Sequence, residues 1–242
     1  MGFDFYRSNF LFCTLVFAPV CAITHAMSQH QRLILFTPVC SSAEALAPAL
    51  TAAVSSGRID AVILRLDSGD DRSLINIVKA LGPIVQEAGA ALLLQDHMHL
   101  VVRAGADGVH LSTPDLLEEA LGLLHPQDRI VGCAGLRARH DAMEAAEAGC
   151  DYVMFGEPFA DGGHLPIASV IERGQWWVEL FQTPCVVYVP DPKDVSAAAA
   201  TGAEFVALGD GLLMDPQQVP ALVSQALKDI ADAPAPVSTG RI

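Results

Sequence analysis

Asp96 and Asp115 are the residues of this chain best placed to do chemistry. Each follows a short apolar run, Ala90–Leu94 and Val109–Leu111, and the runs read as two strands pointing the same way. Carboxylates at the ends of adjacent parallel strands can hold one hard octahedral cation such as Mg2+, leaving its other positions to water and a substrate phosphate. Each also has a structural reading, Asp115 as the cap of the helix it opens and Asp96 as the cap of the short helix Met98–Ala104. Arg65 is the most informative cation. It lies within the apolar strand AVILRL, where an uncompensated charge is costly, so it must meet an acidic partner or a ligand anion.

Other polar groups fall at corresponding places after apolar runs. They are Asp67, Gln95, His97, His110, Ser112, the pair Arg137 and Arg139, the stretch Asp161-Gly162-Gly163-His164, Asp191 and Lys193, and Asp210 between Gly209 and Gly211. His110 lies inside its strand, which makes it either a hydrogen-bonded core side chain or a base. Gly209 and Gly211 can present amides to a phosphate, and a tight turn accounts for them nearly as well.

The elements that must carry these groups alternate along the chain. Strands are expected at Leu33–Val39, Ala61–Leu66, Ala90–Leu94, Val109–Leu111, Ile130–Cys133, Tyr152–Phe155, Cys185–Val189 and Phe205–Leu208. Helices are expected at Ser41–Ser56, Ser73–Ala88, Met98–Ala104, Asp115–Leu124, Arg139–Ala148, Ile167–Phe181, Asp194–Thr201 and Pro216–Ala231. The last takes Pro216 at its start with Asp215 as its cap. Three near-repeats, GADGVHL (105–111), GCDYVMFG (149–156) and GAEFVALG (202–209), run from a helix-ending glycine through an acidic residue into a strand. Eight such units describe a (β/α)8 TIM barrel of the α/β class, spanning 32–231, better than an open dinucleotide-binding sheet. No GxGxxG or P-loop pattern is present. In a barrel, all the polar groups above belong to the C-terminal rim of the strands, where barrel active sites lie.

Composition agrees. The chain has 242 residues, 52% of them hydrophobic and 17% charged, enough to bury one large core. Its 14 basic against 28 acidic residues give a net charge of −14, which argues against nucleic-acid or anionic-membrane partners. A phosphorylated small molecule is still admissible, because one local cationic or amide-lined pocket can oppose the global field. The six cysteines lack metal-ligand spacing and read as reduced core thiols. Residues 1–31 stand apart: NFLFCTLVFAPVCAI resembles a weak secretory signal, while Met27 offers an ordinary later start before the first strand. The run is short for a spanning helix, so a cytoplasmic protein without stable membrane association is expected. Homo-oligomerisation is left open, and the tail 232–242 is expected to be disordered.

From about residue 32 to 225 the chain resembles the thiamine phosphate synthase and thiazole tautomerase superfamily. The resemblance is carried by QDHMHLVVRAGADGVHLSTPDL, IVGCAG, GCDYVMFGEPF and GAEFVALGDGL, of which the first is the most specific. It implies a TIM barrel that joins a hydroxymethylpyrimidine pyrophosphate to a thiazole phosphate with magnesium. Asp96 and Asp115 would be the metal ligands, and Arg65 the arginine of a Gln-x-Arg-x-Lys motif on the second strand. Arg65 and Arg137 are the expected catalytic cations, and Gln95, His110, Gly163, Gly209 and Asp210 the further substrate contacts. The chain departs from the family pattern at Ile63 for glutamine, Asp67 for lysine, Gln95 for asparagine and Ala134 for serine. It departs again at Leu136 for a nearby histidine, at Val189-Pro190-Asp191 for a Gly-Gly turn, and at GEPFADGGH where GPVFPTPTK is usual. The expectation is a synthase-like transferase with altered phosphate contacts. The alternatives are a noncatalytic or regulatory ligand-binding member and a barrel enzyme with a changed phosphorylated substrate.

Overall fold

The computed structural model describes residues 31–159 and 163–234, the side chain of Asp210 excepted. The segment before Gln31, the tail from 235 on, and Asp161 and Gly162 of the glycine-rich loop lie outside the described residues. Eight strands, β1 (Arg32–Phe36), β2 (Ala61–Leu64), β3 (Ala91–Gln95), β4 (Gly108–Leu111), β5 (Ile130–Cys133), β6 (Tyr152–Phe155), β7 (Cys185–Val189) and β8 (Phe205–Leu208), pair in chain order. Every pairing is parallel, and β1 pairs with β8, which closes the barrel. The helices between and after them are α1 (Ala43–Ser55), α2 (Asp71–Gln86), α3 (Val101–Ala104), α4 (Leu117–Leu124), α5 (Arg139–Ala148), α6 (Ile167–Leu180), α7 (Val195–Ala199) and α8 (Val219–Ala231). The expected (β/α)8 fold is therefore the one formed.

Alternation along each strand sorts the apolar side chains into two cores. Leu33, Leu35, Leu92, Leu94, Val153 and Val187 point outward and pack under the helices. Ile34, Phe36, Ile63, Leu93, Tyr152, Met154 and Tyr188 fill the barrel interior. Burying strands on both faces is what their near-continuous runs of Val, Leu and Ile require. The described cysteines, Cys40, Cys133, Cys150 and Cys185, are free and buried, as expected.

The three near-repeats have a structural reason. Gly105 and Gly149 cap the ends of α3 and α5 at φ of +81° and +100°, and Gly202, at +83°, closes the turn that follows α7; all three occupy the left-handed region that glycine enters without a Cβ penalty. The acidic residue that follows accepts a backbone N–H from the preceding strand: Asp107 from Leu92 at 2.8 Å, Asp151 from Val131 at 2.7 Å, and Glu204 from Cys185 at 2.9 Å. These carboxylates latch neighbouring strands at the end of the barrel away from the candidate chemistry.

The ends of some elements differ from expectation. Helix α2 begins at Asp71, because the Asp70 side chain accepts the N–H groups of Arg72 and Ser73 at 3.0 and 3.1 Å and so caps it from within DSGDD. Helix α8 begins at Val219 rather than Pro216. Asp215 accepts the N–H of Gln217 and thereby shapes a turn before the helix, with Pro220 taking the early position. Among the described residues no helix is long and apolar enough to cross a membrane.

Candidate active site at the barrel mouth

Strand register brings the site together. Gln95 lies beside His110, His110 beside Gly132, and Gly132 beside Tyr152, on four successive strands. A Cβ on Gly132 would come within 2.0 Å of the Tyr152 ring, so the glycine is what admits that ring to the barrel interior. Tyr152 then reaches across to His110, placing its hydroxyl 2.8 Å from Nδ1 with the two rings stacked. Phe36 meets His110 edge-on at 5.4 Å, and Tyr188 meets Phe36 at 5.3 Å. Burial pushes the His110 imidazole down to about 4 and the Tyr152 hydroxyl up, so the pair is neutral near pH 7.

Above this aromatic floor opens a cavity of about 360 Å3, lined in part by Arg65, Gln95, Asp96, His110, Ser112 and Arg137. Five of the expected site residues, Arg65, Gln95, Asp96, His110 and Arg137, thus face one space. Arg65 is half-buried at the end of β2, where its backbone N–H donates to Thr37 Oγ1 at 3.0 Å. Arg137 is exposed on the loop between β5 and α5.

Asp96 is not a helix cap. Its Oδ1 accepts the N–H of Ser112 at 2.8 Å and its Oδ2 accepts the Ser112 hydroxyl at 2.7 Å, which ties the tip of β3 to that of β4. Its φ of +59° is unusual for a residue other than glycine, and Asp is among the few that tolerate it. Nor is Asp115 the cap of its helix. Thr113 is, accepting the Asp115 N–H while its hydroxyl donates to Asp115 Oδ2 at 2.9 Å. Asp115 is exposed beside the mouth and is not part of the cavity wall. Among the described residues no three His, Cys, Asp or Glu side chains are grouped closely enough to hold a metal by themselves. Asp96 lines the cavity while Asp115 stands outside its wall, and each carboxylate keeps lone pairs beyond its hydrogen bonds; Mg2+ commonly takes one or two protein carboxylates and keeps several waters.

Gly163 and Gly209 are not among the residues of the cavity wall. Gly163 accepts the Phe159 N–H at 2.6 Å and shapes the loop after β6. The N–H of Gly209 donates to Val189 O at 3.0 Å, and a Cβ there would come within 2.7 Å of the Tyr188 hydroxyl and 3.1 Å of Pro190. Close packing against the end of β7 is thus the structural reason for that glycine. Asp210 opens a 3-10 turn, Asp210–Met214, and its side chain lies outside the described part.

One residue absent from the expected set is prominent. Glu157 follows β6, half-buried, and its Oε1 accepts the Gly135 N–H at 2.7 Å. It walls both the mouth cavity and an adjoining cavity of about 530 Å3 lined by Leu136, Phe155, Leu165 and Arg173. Burial raises its carboxyl, with backbone amides and Arg173 opposing the shift. Arg173 itself donates to the carbonyls of Leu136 and Arg137, which pins the β5 loop. The sequence signal for Glu157 is its place in GEPF, directly after a strand and within the departure from GPVFPTPTK.

Comparison with known proteins agrees with the barrel fold. The family model for thiamine monophosphate synthase matches residues 33–212. A thiamine-phosphate synthase of Rhodospirillum centenum is 35% identical over 195 residues, covering 80% of this chain and 94% of the relative. One from Hyphomonas neptunium is 33% identical over 191 residues, covering 75% and 85%. Among solved structures, thiamine phosphate pyrophosphorylase from Pyrococcus furiosus superposes with a TM-score of 0.68 at 20% identity, covering 85% of this chain and 98% of that one. Tryptophan synthase from Mycobacterium tuberculosis superposes at 0.65 with 16% identity, covering 84% and 93%, a likeness of barrel architecture. With most of the barrel matched and relatives of this identity sharing one description, the chain belongs to the thiamine monophosphate synthase family.

Proposed function

We propose that this protein is a transferase that joins a hydroxymethylpyrimidine pyrophosphate to a thiazole phosphate with loss of pyrophosphate. The observation that carries this reading is the mouth cavity that gathers Arg65, Gln95, Asp96, Ser112 and Arg137 over the floor of Phe36 and His110. Family membership and the relatives' names support the choice of reaction.

The chemistry asks for stabilisation of a departing polyanion more than for a general base. Arg65, half-buried, supplies positive charge in partly desolvated surroundings, where it acts more strongly than in bulk water. Arg137 adds charge from the opposite loop. His110, neutral and bonded to Tyr152, is unsuited to gripping an anion, and its ring with Phe36 offers a surface for a planar heterocycle. Gln95 and Ser112 hold the Asp96 carboxylate at the rim, since Gln95 Nε2 and the Ser112 hydroxyl both donate to Oδ2. Asp96 and Asp115 would hold Mg2+, and the ion when bound supplies neutralisation of the leaving group's charge. The Mg2+ requirement and a cytoplasmic setting belong to this reading.

Glu157 favours a second reading, a family barrel with a changed phosphorylated substrate, because a half-buried carboxylate in the mouth opposes a polyanion there. The two are separated by incubating the protein with both substrates and Mg2+ and measuring thiamine phosphate by thiochrome fluorescence. Product that depends on Mg2+ supports the transferase. No product, with no binding of the pyrimidine pyrophosphate at millimolar concentration, rejects it.

A further inference from the structure

The hydrogen-bond accounting of the mouth leaves acceptors that the described residues do not satisfy. Gln95 Oε1 is buried without a partner. Its orientation follows from the amide's other end: Nε2 faces Asp96 Oδ2 at 3.3 Å, and a flip would set oxygen against carboxylate. Glu157 has one oxygen on the Gly135 N–H and enters none of the ion pairs among the described residues. Arg173, the cation that bears on it, is committed to two backbone carbonyls.

The backbone holds Glu157 in this place. Gly156 has a φ of +93°, and a Cβ on it would come within 2.6 Å of Val170 and 3.1 Å of Tyr188 O, so the chain turns inward at one defined angle. On the other side Gly135, at φ +73°, presses on Ser112, where a Cβ would come within 2.4 Å of Ser112 O. Asp96, Ser112, Gly135 and Glu157 therefore form a continuous rim over the ends of β3 to β6. Arg65 stands at the end of β2, four strands from β6 and so across the closed barrel from Glu157.

We infer that Glu157 sets the ligand specificity of this mouth. Its carboxylate accepts an N–H from an exocyclic amino group on the ring of the bound ligand and bars phosphate groups from the β6 side, so that the anionic part of the ligand lies toward Arg65. A diphosphate, which brings acceptors only, satisfies neither Glu157 nor Gln95 Oε1; an amino-substituted nitrogen heterocycle supplies donors to both. The transferase reading provides a substrate containing such a ring, and the inference rests on that reading for its substrate but not for its chemistry.

The test uses the full chain and two probes that need no turnover, inorganic pyrophosphate by calorimetry and 4-aminopyrimidine by ligand-observed NMR. E157Q removes the charge while keeping an acceptor for Gly135, and it should bind pyrophosphate on the order of tenfold more tightly than wild type. E157A removes both and should weaken 4-aminopyrimidine binding by about tenfold or more. Unchanged or weaker pyrophosphate binding by E157Q overturns the inference, as does 4-aminopyrimidine binding that is unchanged in E157A or missing in wild type. Should E157A fail to fold, the pyrophosphate result with E157Q decides alone. Absence of thiamine phosphate from wild type with both substrates would reject the transferase reading separately, leaving the probe results to judge Glu157.

Discussion

Asp96 is the residue where structure and proposed chemistry bear on one another most directly. Its carboxylate anchors the tip of β4 through Ser112 and faces the cavity, so one substitution can separate the two roles. Asp96→Asn keeps an oxygen for the Ser112 N–H and is well suited to the positive φ, so the stability loss should stay at about 1 kcal/mol. If Asp96 helps to hold Mg2+, the variant should lose Mg2+-dependent ligand binding by on the order of tenfold or more, read by calorimetry with and without the ion. Loss of stability with ligand binding intact would assign Asp96 to the rim alone. His110 makes a prediction about pH. Its folded pKa of about 4 lies below its ordinary value, so the unfolded chain binds a proton that the folded chain refuses. Stability is therefore lost as pH falls from the ordinary histidine range through the folded value, roughly 2 kcal/mol of it between pH 7 and pH 5. Glu157, with its carboxyl raised, contributes with the opposite sign in an overlapping window. Urea titrations of wild type and His110→Gln at both pH values isolate the histidine share, and equal acid losses in the two proteins would reject it.

The elements determine which side chains meet. The Gly132 gap, the Gly156 turn and the Gly135 contact each let one strand end approach the next, and each depends on the lack of a Cβ. Gly156→Ala combines a left-handed φ with contacts of 2.6 Å to Val170 and 3.1 Å to Tyr188 O, so it should destabilise by about 1–3 kcal/mol. It should also move Glu157 off Gly135, which a crystal structure of the variant would show; an unmoved Glu157 at wild-type stability would contradict this account. What was legible at this scale was the run of apolar positions and the left-handed glycines at 105, 149 and 202, two of them helix caps and the third closing the turn after α7. Less legible were caps within polar clusters. In DSGDD three aspartates compete for the role, and only the fold selects Asp70. At Asp215-Pro216 the cap chemistry is present but closes a turn rather than a helix.

At the scale of the whole molecule the charge of −14 surrounds a mouth that is to receive an anion. The global field should slow the approach of a phosphorylated ligand, and added salt should screen that field within about 10 Å at 0.1 M. The association rate of such a ligand, followed by stopped-flow, is therefore expected to rise severalfold between about 0.01 and 0.15 M salt. A fall would mean that local cations, Arg65 and Arg137 foremost, dominate the encounter.

The amino-acid sequence by itself determined the barrel, because strand and helix periods, glycine stops and buried apolar runs are local properties that recur along the chain. It also determined most residues of the mouth, since any polar side chain just after a strand must reach the same rim once eight strands close. Tertiary structure decided what those residues do to one another. The coupling of Asp96 to Ser112, the neutral His110–Tyr152 pair and the approach of Glu157 to Gly135 depend on contacts across strands, where register and missing Cβ atoms set distances that spacing along the chain does not encode.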